Sequence, residues 1–376
     1  MIFYRIVQQT KLHSFGDFIG EVPFLGKKLY ELQNEYVKNI GGTITDVGSK
    51  EEIIDNTPYF VFDEDLFFTG PFLESCVKVA KNLNTNIQYC LGRNSFNERF
   101  ILPTSSDSEE HHVLRFYFQC DKEISKKVVI KQKIYDYETR VPHQIVKGGI
   151  YKTDQCDTFA LHIISPFHLL FANLGLNLAR SIKYRSKMPS ILDKQFGQPG
   201  GRWFYHGLKV LNKIGKNCKI HPTALLEGAV IGDNVTIEAG AIVRMSILGD
   251  NCQVSDNVTI VNSVLGESTF IGNSNYVSSC LTYPKVFLIH GPYQFSVFGK
   301  SSACFAVINC DYRLDQHNIK IPTSEGIIDS HQPLLGIAYG HRSKTGGGNI
   351  IAAGRIVPND LDLTPPDHII LNFDNK

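Results

Sequence analysis

Four consecutive segments in the second half of the chain repeat one pattern, and this pattern decides the fold there. They read IGKNCKIHPTALLEGAV at 214–230, IGDNVTIEAGAIVRMSI at 231–247, LGDNCQVSDNVTIVNSV at 248–264 and LGESTFIGNSNYV at 265–277. Each segment opens on an aliphatic residue followed by glycine, and aliphatic residues return six and twelve positions later. The twelve positions are Ile214, Ile220, Leu226, Ile231, Ile237, Val243, Leu248, Val254, Ile260, Leu265, Ile271 and Val277. This regular period of 17 residues indicates three short strands in every turn of a coil.

The spacing predicts a left-handed parallel β-helix of hexapeptide-type repeats, from about Ile214 to residue 376. One coil cannot bury its own apolar face, but stacked coils bury their inward side chains against each other. The glycine after each anchor suits a corner that needs a positive φ or a close backbone approach, and the Asp-Asn pairs suit turns. The alternative is an ordinary β-sandwich in which this spacing is a coincidence.

The repeat is interrupted after Val277. The segment Leu281–Lys320 is rich in Phe and Tyr, and it predicts irregular coils or a protruding loop. Less regular repeats resume near Leu335-Gly336.

The first half of the chain mixes helical and strand patterns, which predicts an α/β domain. Helical patterns cover Lys27–Ile40, Phe72–Lys81 and Ser165–Ala179, and the first of these ends at a Gly-Gly pair typical of a C-cap. Residues 59–62 (YFVF) suit a buried strand. We therefore expect an α/β domain with a joining helix over 1–185, a linker over 186–213, and the β-helix over 214–376.

Asp63 and Asp65 follow the predicted strand directly. Carboxylates at the carboxyl end of a buried parallel strand are placed where α/β folds put metal and substrate ligands. Solvation of a loop explains the same residues equally well.

Charge and hydropathy exclude several partners. The 38 Lys and Arg residues are balanced by 37 Asp and Glu residues, so the chain presents no electrostatic case for nucleic acid. No run of 18 apolar residues predicts a membrane span, and the N-terminus has no signal-peptide pattern. We expect a cytoplasmic protein.

Four segments carry a resemblance to a known family. They are Gly26-Lys27 before the first helix, LTY at 281–283, INCDYRLD at 308–315 and LGIAYGHRSKTG at 335–346. Together with the order of the predicted domains, they resemble the bifunctional sugar-1-phosphate nucleotidylyltransferase and amino-sugar-1-phosphate acetyltransferase family, which is N-acetylglucosamine-1-phosphate uridylyltransferase-like. The likeness is more specific after residue 214 than before it.

The resemblance implies a homotrimer formed through the β-helix, with sugar phosphate and acetyl-CoA bound between subunits. It implies Mg²⁺ on Asp63 or Asp65 of the N-terminal domain. The substrate-binding residues that it implies are Lys27, Tyr283, Asp311, Tyr312, Arg313, Arg342 and Lys344.

The chain departs from the family in two places. The family's catalytic histidine before the LTY segment is replaced by Cys280, so His290 or His341 would have to serve as the base. The simpler reading is that both are ordinary surface or hydrogen-bonded histidines. The family's Gly-rich phosphate loop is replaced by VQQTKLHSFG at 7–16, which keeps one glycine.

Three functions remain open from the sequence. The first is Mg²⁺-dependent nucleotidyl transfer to a sugar-1-phosphate. The second is acyl transfer from an acyl-CoA at the β-helix. The third is a non-catalytic trimeric scaffold or a sugar-nucleotide-binding protein.

Overall fold

The computed structural model of the chain divides into two compact units. It describes residues 1–54, 57–83, 85–119, 126–135, 138–140, 150–152, 154–185, 209, 211–315 and 317–364. Unit 1 consists of Met1–Leu208 with Gln316–Gln332, and unit 2 of Lys209–Asp315 with Pro333–Lys376. Most of the predicted linker 186–213, and the last twelve residues assigned to the β-helix, lie outside the described residues.

Unit 1 is an α/β domain, as the sequence predicts. Its helices are α1 (Leu29–Asn39), α2 (Gly70–Leu83), α3 (Ser95–Phe100) and α4 (Pro166–Arg185), with 3₁₀ turns at Ile19–Glu21 and Lys50–Glu52. Its strands are β1 (Ile2–Ile6), β2 (Pro23–Phe24), β3 (Lys27–Lys28), β4 (Thr43–Val47), β5 (Tyr59–Asp63), β6 (Leu66–Phe68), β7 (Ile87–Gly92), β8 (His111–Gln119), β9 (Lys126–Ile130), β10 (Glu138–Arg140), β11 (Ile150–Lys152) and β12 (Ala160–His162). The predicted helix 72–81 lies within α2, and the predicted strand 59–62 lies within β5. The predicted helices 27–40 and 165–179 overlap α1 and α4.

A mixed sheet of order β4-β1-β5-β8-β7-β9 forms the centre of unit 1. β8 runs antiparallel to its neighbours β5 and β7, whereas the other adjacent pairs are parallel. Ile6 pairs with Asp63 at the carboxyl ends of β1 and β5, so these two ends share one edge of the sheet. The middle of β5 is buried because it lies inside the sheet, which explains its continuous apolar run.

Unit 2 is the left-handed parallel β-helix that the sequence predicts, and its strands stack in three parallel ladders. The first ladder contains Lys213–Ile214, Val230–Ile231, Ile247–Leu248, Val264–Leu265, Leu281–Thr282, Val297–Phe298, Ala338–Tyr339 and Ile356–Val357. The second contains Lys219–Ile220, Thr236–Ile237, Gln253–Val254, Phe270–Ile271, Phe287–Ile289, Ala303–Phe305, Lys344–Thr345 and Asp362–Leu363. The third contains Leu225–Glu227, Ile242–Arg244, Thr259–Val261, Tyr276–Ser278 and Tyr293–Gln294, and a separate pair on the later coils joins Ile308–Cys310 to Ile350–Ala352.

The predicted aliphatic positions line the interior of the coils. All of them are buried except Ile214 and Ile220, which lie in the first coil and have another coil on one side only. Backbone amides of each coil donate to carbonyls of the next, as in the bond from Gly232 N to Leu248 O (2.8 Å). The β-helix is therefore held by stacked side chains inside and by continuous ladders around them.

At each repeated corner, the glycine and the residue two positions after it have different structural roles. The positive φ belongs to the residue two positions after the glycine, with values of 55° at Asn217, 58° at Asn234 and 59° at Asn251. Asparagine tolerates this left-handed region better than most residues. The glycine permits close stacking, since a Cβ added at Gly249 would lie 2.7 Å from the backbone nitrogen of Glu267 in the next coil.

Residues 281–310 form two further coils, in which the strands pair at a spacing of 16 residues in place of 17. The irregular coils expected after Val277 therefore occur, and they continue the first two ladders. Large rings from this segment fill the interior: Phe298 stacks on Tyr339 at 5.0 Å between ring centroids, and Tyr293 meets Phe298 edge-on. Aromatic side chains thus replace aliphatic ones inside the later coils.

A protruding segment does occur, and it leaves the ladders after Cys310. It contains a hairpin of Lys320–Thr323 and Gly326–Asp329, which belongs to unit 1. The sequence assigned these residues to the β-helix. They lack its repeat, and their contacts are made with the α/β domain instead, as in the bond from Ser324 N to Ile164 O (3.3 Å). The first ladder continues across the insertion, because Val297–Phe298 pairs with Ala338–Tyr339.

Within the described ranges, none of the helices has the length and apolar character needed to cross a membrane.

We predict that Gly249→Ala lowers the free energy of unfolding of the β-helix by about 1–3 kcal/mol, the usual cost of overpacking. The added Cβ would meet backbone atoms of the next coil, which cannot turn aside as a side chain can. Urea unfolding followed by circular dichroism measures the change.

Gly347→Ala is the matched control for this substitution. Its Cβ would lie 3.6 Å from the Cβ of Ala306, an ordinary contact, so its stability should stay near that of the wild type. Equal losses in the two variants would contradict the close-stacking role of Gly249.

Candidate functional site

A pocket of about 280 Å³ lies at the carboxyl ends of β1 and β5 in unit 1. This edge of a sheet is where α/β folds usually bind ligands. Its lining residues are Ile6, Gln8, Thr10, Lys11, Asp63, Glu64, Asp65, Arg115, Ile163, Ile164, Ser324 and Glu325. Four carboxylates thus face two cationic side chains.

Arg115, on β8, binds both predicted aspartates. Its Nε donates to Oδ2 of Asp63 and its Nη2 to Oδ2 of Asp65, each at 2.6 Å. The antiparallel pairing of β8 with β5 brings the guanidinium to this edge, because Phe116 pairs with Phe62, next to Asp63. The two carboxylates therefore share one cation.

His162, on β12, completes the cluster. The backbone N–H of Arg115 donates to Nε2 of His162 (3.0 Å), so Nε2 is unprotonated in this arrangement. The ring proton then lies on Nδ1, which donates to Oδ1 of Asp65 at 2.8 Å. His162 and Asp65 are both buried, and this bond fixes their relative orientation.

The two aspartates differ in their acidity. Burial and the neighbouring charge of Asp65 raise the pKa of Asp63 above its ordinary range, and Arg115 only partly opposes them. Burial alone would raise the pKa of Asp65 as well, but His162 and Arg115 together outweigh it and hold that pKa below its ordinary range. Asp65 is therefore the firmly ionised member of the pair.

Glu64 occupies the turn that stands in place of a Gly-rich loop. Its Oε1 accepts the backbone N–H groups of Gln8 (2.9 Å) and Thr10 (2.8 Å), and Gln9 between them has a φ of 54°. Two backbone amides that converge on one oxygen form an anion-binding turn. In this chain the bound anion is the chain's own carboxylate.

The other oxygen of Glu64 is held from the opposite side. The hydroxyl of Tyr30 donates to Oε2 at 2.5 Å. Burial and this contact raise the pKa of Tyr30, so the hydroxyl keeps its proton. The Arg5 guanidinium lies over the Tyr30 ring, 3.6 Å from its centroid, and binds Asp46 through two nitrogens. A partly buried network thus fixes Glu64 in position.

The hairpin supplies the last part of the pocket wall. Glu325, at its tip, accepts the backbone N–H of Ser105 (2.7 Å), and its charge contributes to a raised pKa of Arg115. Burial alone would lower the pKa of Arg115, but Asp65 and Asp63 outweigh it. The pocket is thus completed by residues more than 250 positions after Asp63 and Asp65 in the sequence.

The residues present do not fit the Mg²⁺ ion that the sequence led us to expect on Asp63 or Asp65. Mg²⁺ requires oxygen ligands in near-octahedral geometry. Oxygens of both aspartates are instead bound to Arg115, whose guanidinium already supplies the positive charge. Across the described parts of the chain, no three His, Cys, Asp or Glu side chains are grouped as a metal site.

Lys27, the remaining predicted residue of unit 1, is not among the residues that line the pocket. It belongs to β3, and its exposed Nζ pairs with Glu35 on α1.

Two of the predicted residues of unit 2 are in contact. The ring of His341 meets the ring of Tyr283 edge-on, with 5.0 Å between centroids. His341 is 6% exposed, and its Nδ1 accepts the backbone N–H of Lys300 at 2.7 Å. In the neutral ring the proton then lies on Nε2, so no lone pair of this ring remains to accept a proton from a substrate. This geometry disfavours the predicted role of His341 as a base.

Cys280 stands at the position where the sequence departs from the expected catalytic histidine. Its thiol is fully buried among the coils and lies within hydrogen-bonding distance of the carbonyl oxygens of Ser278 (3.3 Å) and Tyr293 (3.5 Å). Burial raises the pKa of Cys280 to about 12, so the thiol stays protonated at neutral pH. Cys280 is a core residue.

The other predicted residues of unit 2 lie at its surface. Arg342 pairs with Asp360, Lys344 with Asp362, and Arg313 with Asp315. Asp311 is half-buried, which raises its pKa, and Tyr312 pairs with Leu334 in an isolated bridge. His290 occupies an exposed corner at a φ of 58°.

Sequence reasoning missed Arg115, His162, Glu64 and Glu325. Glu64 alone carried a usable signal, since it stands between the two aspartates that were selected. The other three come from distant segments, and only the sheet pairing and the hairpin bring them together.

We predict that Asp65→Asn lowers the free energy of unfolding of unit 1 at pH 7 by about 2–4 kcal/mol, because it removes the charge from a buried pair. The pKa of Asp65 is lower in the folded chain than in the unfolded one. Its stabilising effect is therefore present near neutral pH and is lost as the pH falls through the folded value. The gap between wild type and variant should shrink below about pH 4.

Urea unfolding at several pH values, with hydrogen exchange of the β5 amides as the reporter for unit 1, measures this gap. Glu35→Gln is the control, since it breaks only the exposed pair with Lys27 and should cost less than about 1 kcal/mol. A gap for Asp65→Asn that does not depend on pH would contradict the assignment.

Comparison with known proteins gives one match at the family level. Residues 208–290 match the model of the GMPPB C-terminal domain, which belongs to the sugar-1-phosphate nucleotidylyltransferases. This segment contains the four regular repeats at 214–277. No curated protein matches the chain.

Two solved structures share short stretches with the chain. One is a histidine-to-alanine mutant of GDP-perosamine N-acetyl transferase from Caulobacter crescentus in complex with CoA and GDP-perosamine, at 14% identity, a TM-score of 0.14, and coverage of 40% of this chain and 50% of that one. The chain thus spans about half the length of that enzyme. The other is a hexapeptide transferase family protein from Anaplasma phagocytophilum, at 15% identity, a TM-score of 0.16, and coverage of 38% of this chain and 76% of that one.

At these TM-scores, neither structure informs the function of the present chain. The family match stands on sequence, and it agrees with the resemblance that the repeats and motifs predict. Residues 208–290 are therefore similar in sequence to the GMPPB C-terminal domain.

Proposed function

We propose that the protein serves sugar-nucleotide metabolism as a sugar-binding relative of the nucleotidylyltransferases, and that it transfers no nucleotide. The observation that carries this proposal is the Arg115 guanidinium between Asp63 and Asp65. A nucleotidylyltransferase needs a metal ion at such carboxylates to neutralise the charge that develops on the phosphates. In this chain an arginine occupies that position.

The pocket suits the chemistry of a sugar. Carboxylates and a guanidinium bind hydroxyl groups through charge-assisted hydrogen bonds, and Ile6, Ile163 and Ile164 offer an apolar wall for the carbon face of a ring. The volume of about 280 Å³ lies at the lower end of the range for ligand pockets. Such a space suits a monosaccharide better than a whole nucleotide sugar.

The two catalytic alternatives have weaker support. For Mg²⁺-dependent transfer to a sugar-1-phosphate, both aspartates that were expected to hold the metal are already bound to Arg115. Acyl transfer from acetyl-CoA at the β-helix has weaker support, because Cys280 lies in the core and the Nδ1 lone pair of His341 is occupied. His290, the other proposed base, lies at an exposed corner of the coil.

Isothermal titration with a panel of ligands tests the proposal. The panel contains neutral and amino monosaccharides, sugar-1-phosphates, nucleotide sugars, CoA and acetyl-CoA, each with and without Mg²⁺. We expect binding of a monosaccharide that does not depend on Mg²⁺, and no release of pyrophosphate from nucleoside triphosphates with sugar-1-phosphates. Pyrophosphate release, or binding of CoA alone, would overturn the proposal and favour the first or second alternative.

Glu325→Gln should weaken the binding of the sugar about tenfold, the effect of losing one charge-assisted hydrogen bond. Asp329→Asn is the matched control, because Asp329 lies on the same hairpin but does not line the pocket. Its affinity should equal that of the wild type. Equal affinities in all three proteins would exclude the hairpin tip from the site.

We further propose that the protein is a homotrimer assembled through the β-helix, as the family resemblance implies. Exposed apolar side chains on unit 2 support an interface there. Ile308 and Ile350 pair in register and are 55% and 67% exposed, and Phe305 is 39% exposed. Burial of these side chains against a second copy would stabilise an assembly.

Light scattering coupled to size-exclusion chromatography measures the mass of the particle. We expect three times the chain mass of 42.2 kDa for the wild type, and a smaller particle for Ile350→Asp. Ile327→Asp, at an exposed position on the hairpin of unit 1, is the control and should leave the mass unchanged. A wild-type particle of a single chain would refute the trimer.

A further inference from the structure

The turn at Gln8–Thr10 has the construction of an oxyanion site. Two backbone N–H groups point at the same oxygen, and the residue between them has the positive φ that allows this convergence. Phosphate oxygens bind to such amides in many proteins.

Glu64 fills this site in the structure. Its side chain is buried, and the residue as a whole is 4% exposed. Its backbone is also fixed, because Glu64 N donates to Ile6 O (3.0 Å) and Nε2 of Gln33 donates to Glu64 O (3.2 Å). The carboxylate is therefore delivered to the amides by the end of β5, and Tyr30 closes the only other oxygen of the group.

An incoming phosphate would have to displace this carboxylate from the two amides. It would also enter a pocket in which Asp63, Asp65 and Glu325 outnumber the cations Lys11 and Arg115. Like charges at short range in a partly buried site repel each other strongly. A neutral ligand meets neither obstacle.

We propose that Glu64 is a tethered anion that fills the oxyanion site of the pocket and thereby selects an unphosphorylated sugar as the ligand. This inference rests on the proposed function for the identity of the ligand. The occupied oxyanion site itself is tested with inorganic phosphate, so the two can fail separately.

The experiment measures the effect of inorganic phosphate on the wild type, Glu64→Ala and Glu64→Gln. Alanine empties the turn, whereas glutamine leaves a neutral oxygen that phosphate can displace more easily than a carboxylate. Thermal unfolding should show no phosphate dependence in the wild type. It should show a rise in Tm of roughly 2–4 °C for Glu64→Ala, and a smaller rise for Glu64→Gln.

Glu52→Ala is the matched control. Glu52 also accepts a backbone amide, from Gly48 at 2.9 Å, but it is exposed and lies outside the pocket. Its removal should leave the protein insensitive to phosphate. ³¹P line broadening checks that the shift reports binding.

Two results would overturn the inference: phosphate stabilisation of the wild type equal to that of the variants, or no stabilisation in either variant. If the alanine variant does not fold, the glutamine variant decides by the same criterion. Failure of all sugars to bind the wild type, with phosphate still admitted by the variants, would instead overturn the proposed function and leave the tethered anion in place.

Discussion

The pocket of unit 1 depends on one interaction, the guanidinium of Arg115 between the carboxylates of Asp63 and Asp65. Two ionised carboxylates two positions apart, at the end of a buried strand, would repel each other in a medium of low dielectric constant. The arginine offsets one of the two negative charges, and His162 gives Asp65 a second partner. The cluster also joins β5, β8 and β12, so the charge balance of the site and the packing of the strands are maintained together.

Glu64 likewise satisfies, from within the chain, polar groups that could otherwise bind a ligand. An acidic strand end and a turn of converging amides are the two parts from which a fold of this type builds a metal and phosphate site. In this chain both parts are bound by the chain's own side chains. Arg115 binds the two aspartates, and Glu64 accepts the two backbone amides. Buried charges must be paired, and a chain that pairs them internally leaves little binding energy for an external metal or anion.

Unit 2 obeys a different constraint, the fixed spacing between coils. The glycines allow the backbones to approach, the asparagines adopt the corner conformation, and the interior accepts aliphatic or aromatic residues so long as each coil stacks on the next. This explains why the segment after Cys310 can leave the ladders and return. The pairing of Val297–Phe298 with Ala338–Tyr339 restores the stack, and the residues between them need only begin and end near one corner.

The difference between the two units decides what the sequence could predict. The β-helix follows from a local period, so its core positions from 231 to 277 are readable without any tertiary information. Asp63 and Asp65 were readable as well, because an acidic group after an apolar strand is a local signal. Their partner was not, since Arg115 reaches them only through the antiparallel register of β8, and Glu325 only through a hairpin inserted from the second half of the chain. A run of acids at a strand end thus identifies a site where positive charge must be supplied. Whether a metal ion or an arginine supplies it is fixed by pairing between distant segments, which no local pattern in the sequence reveals.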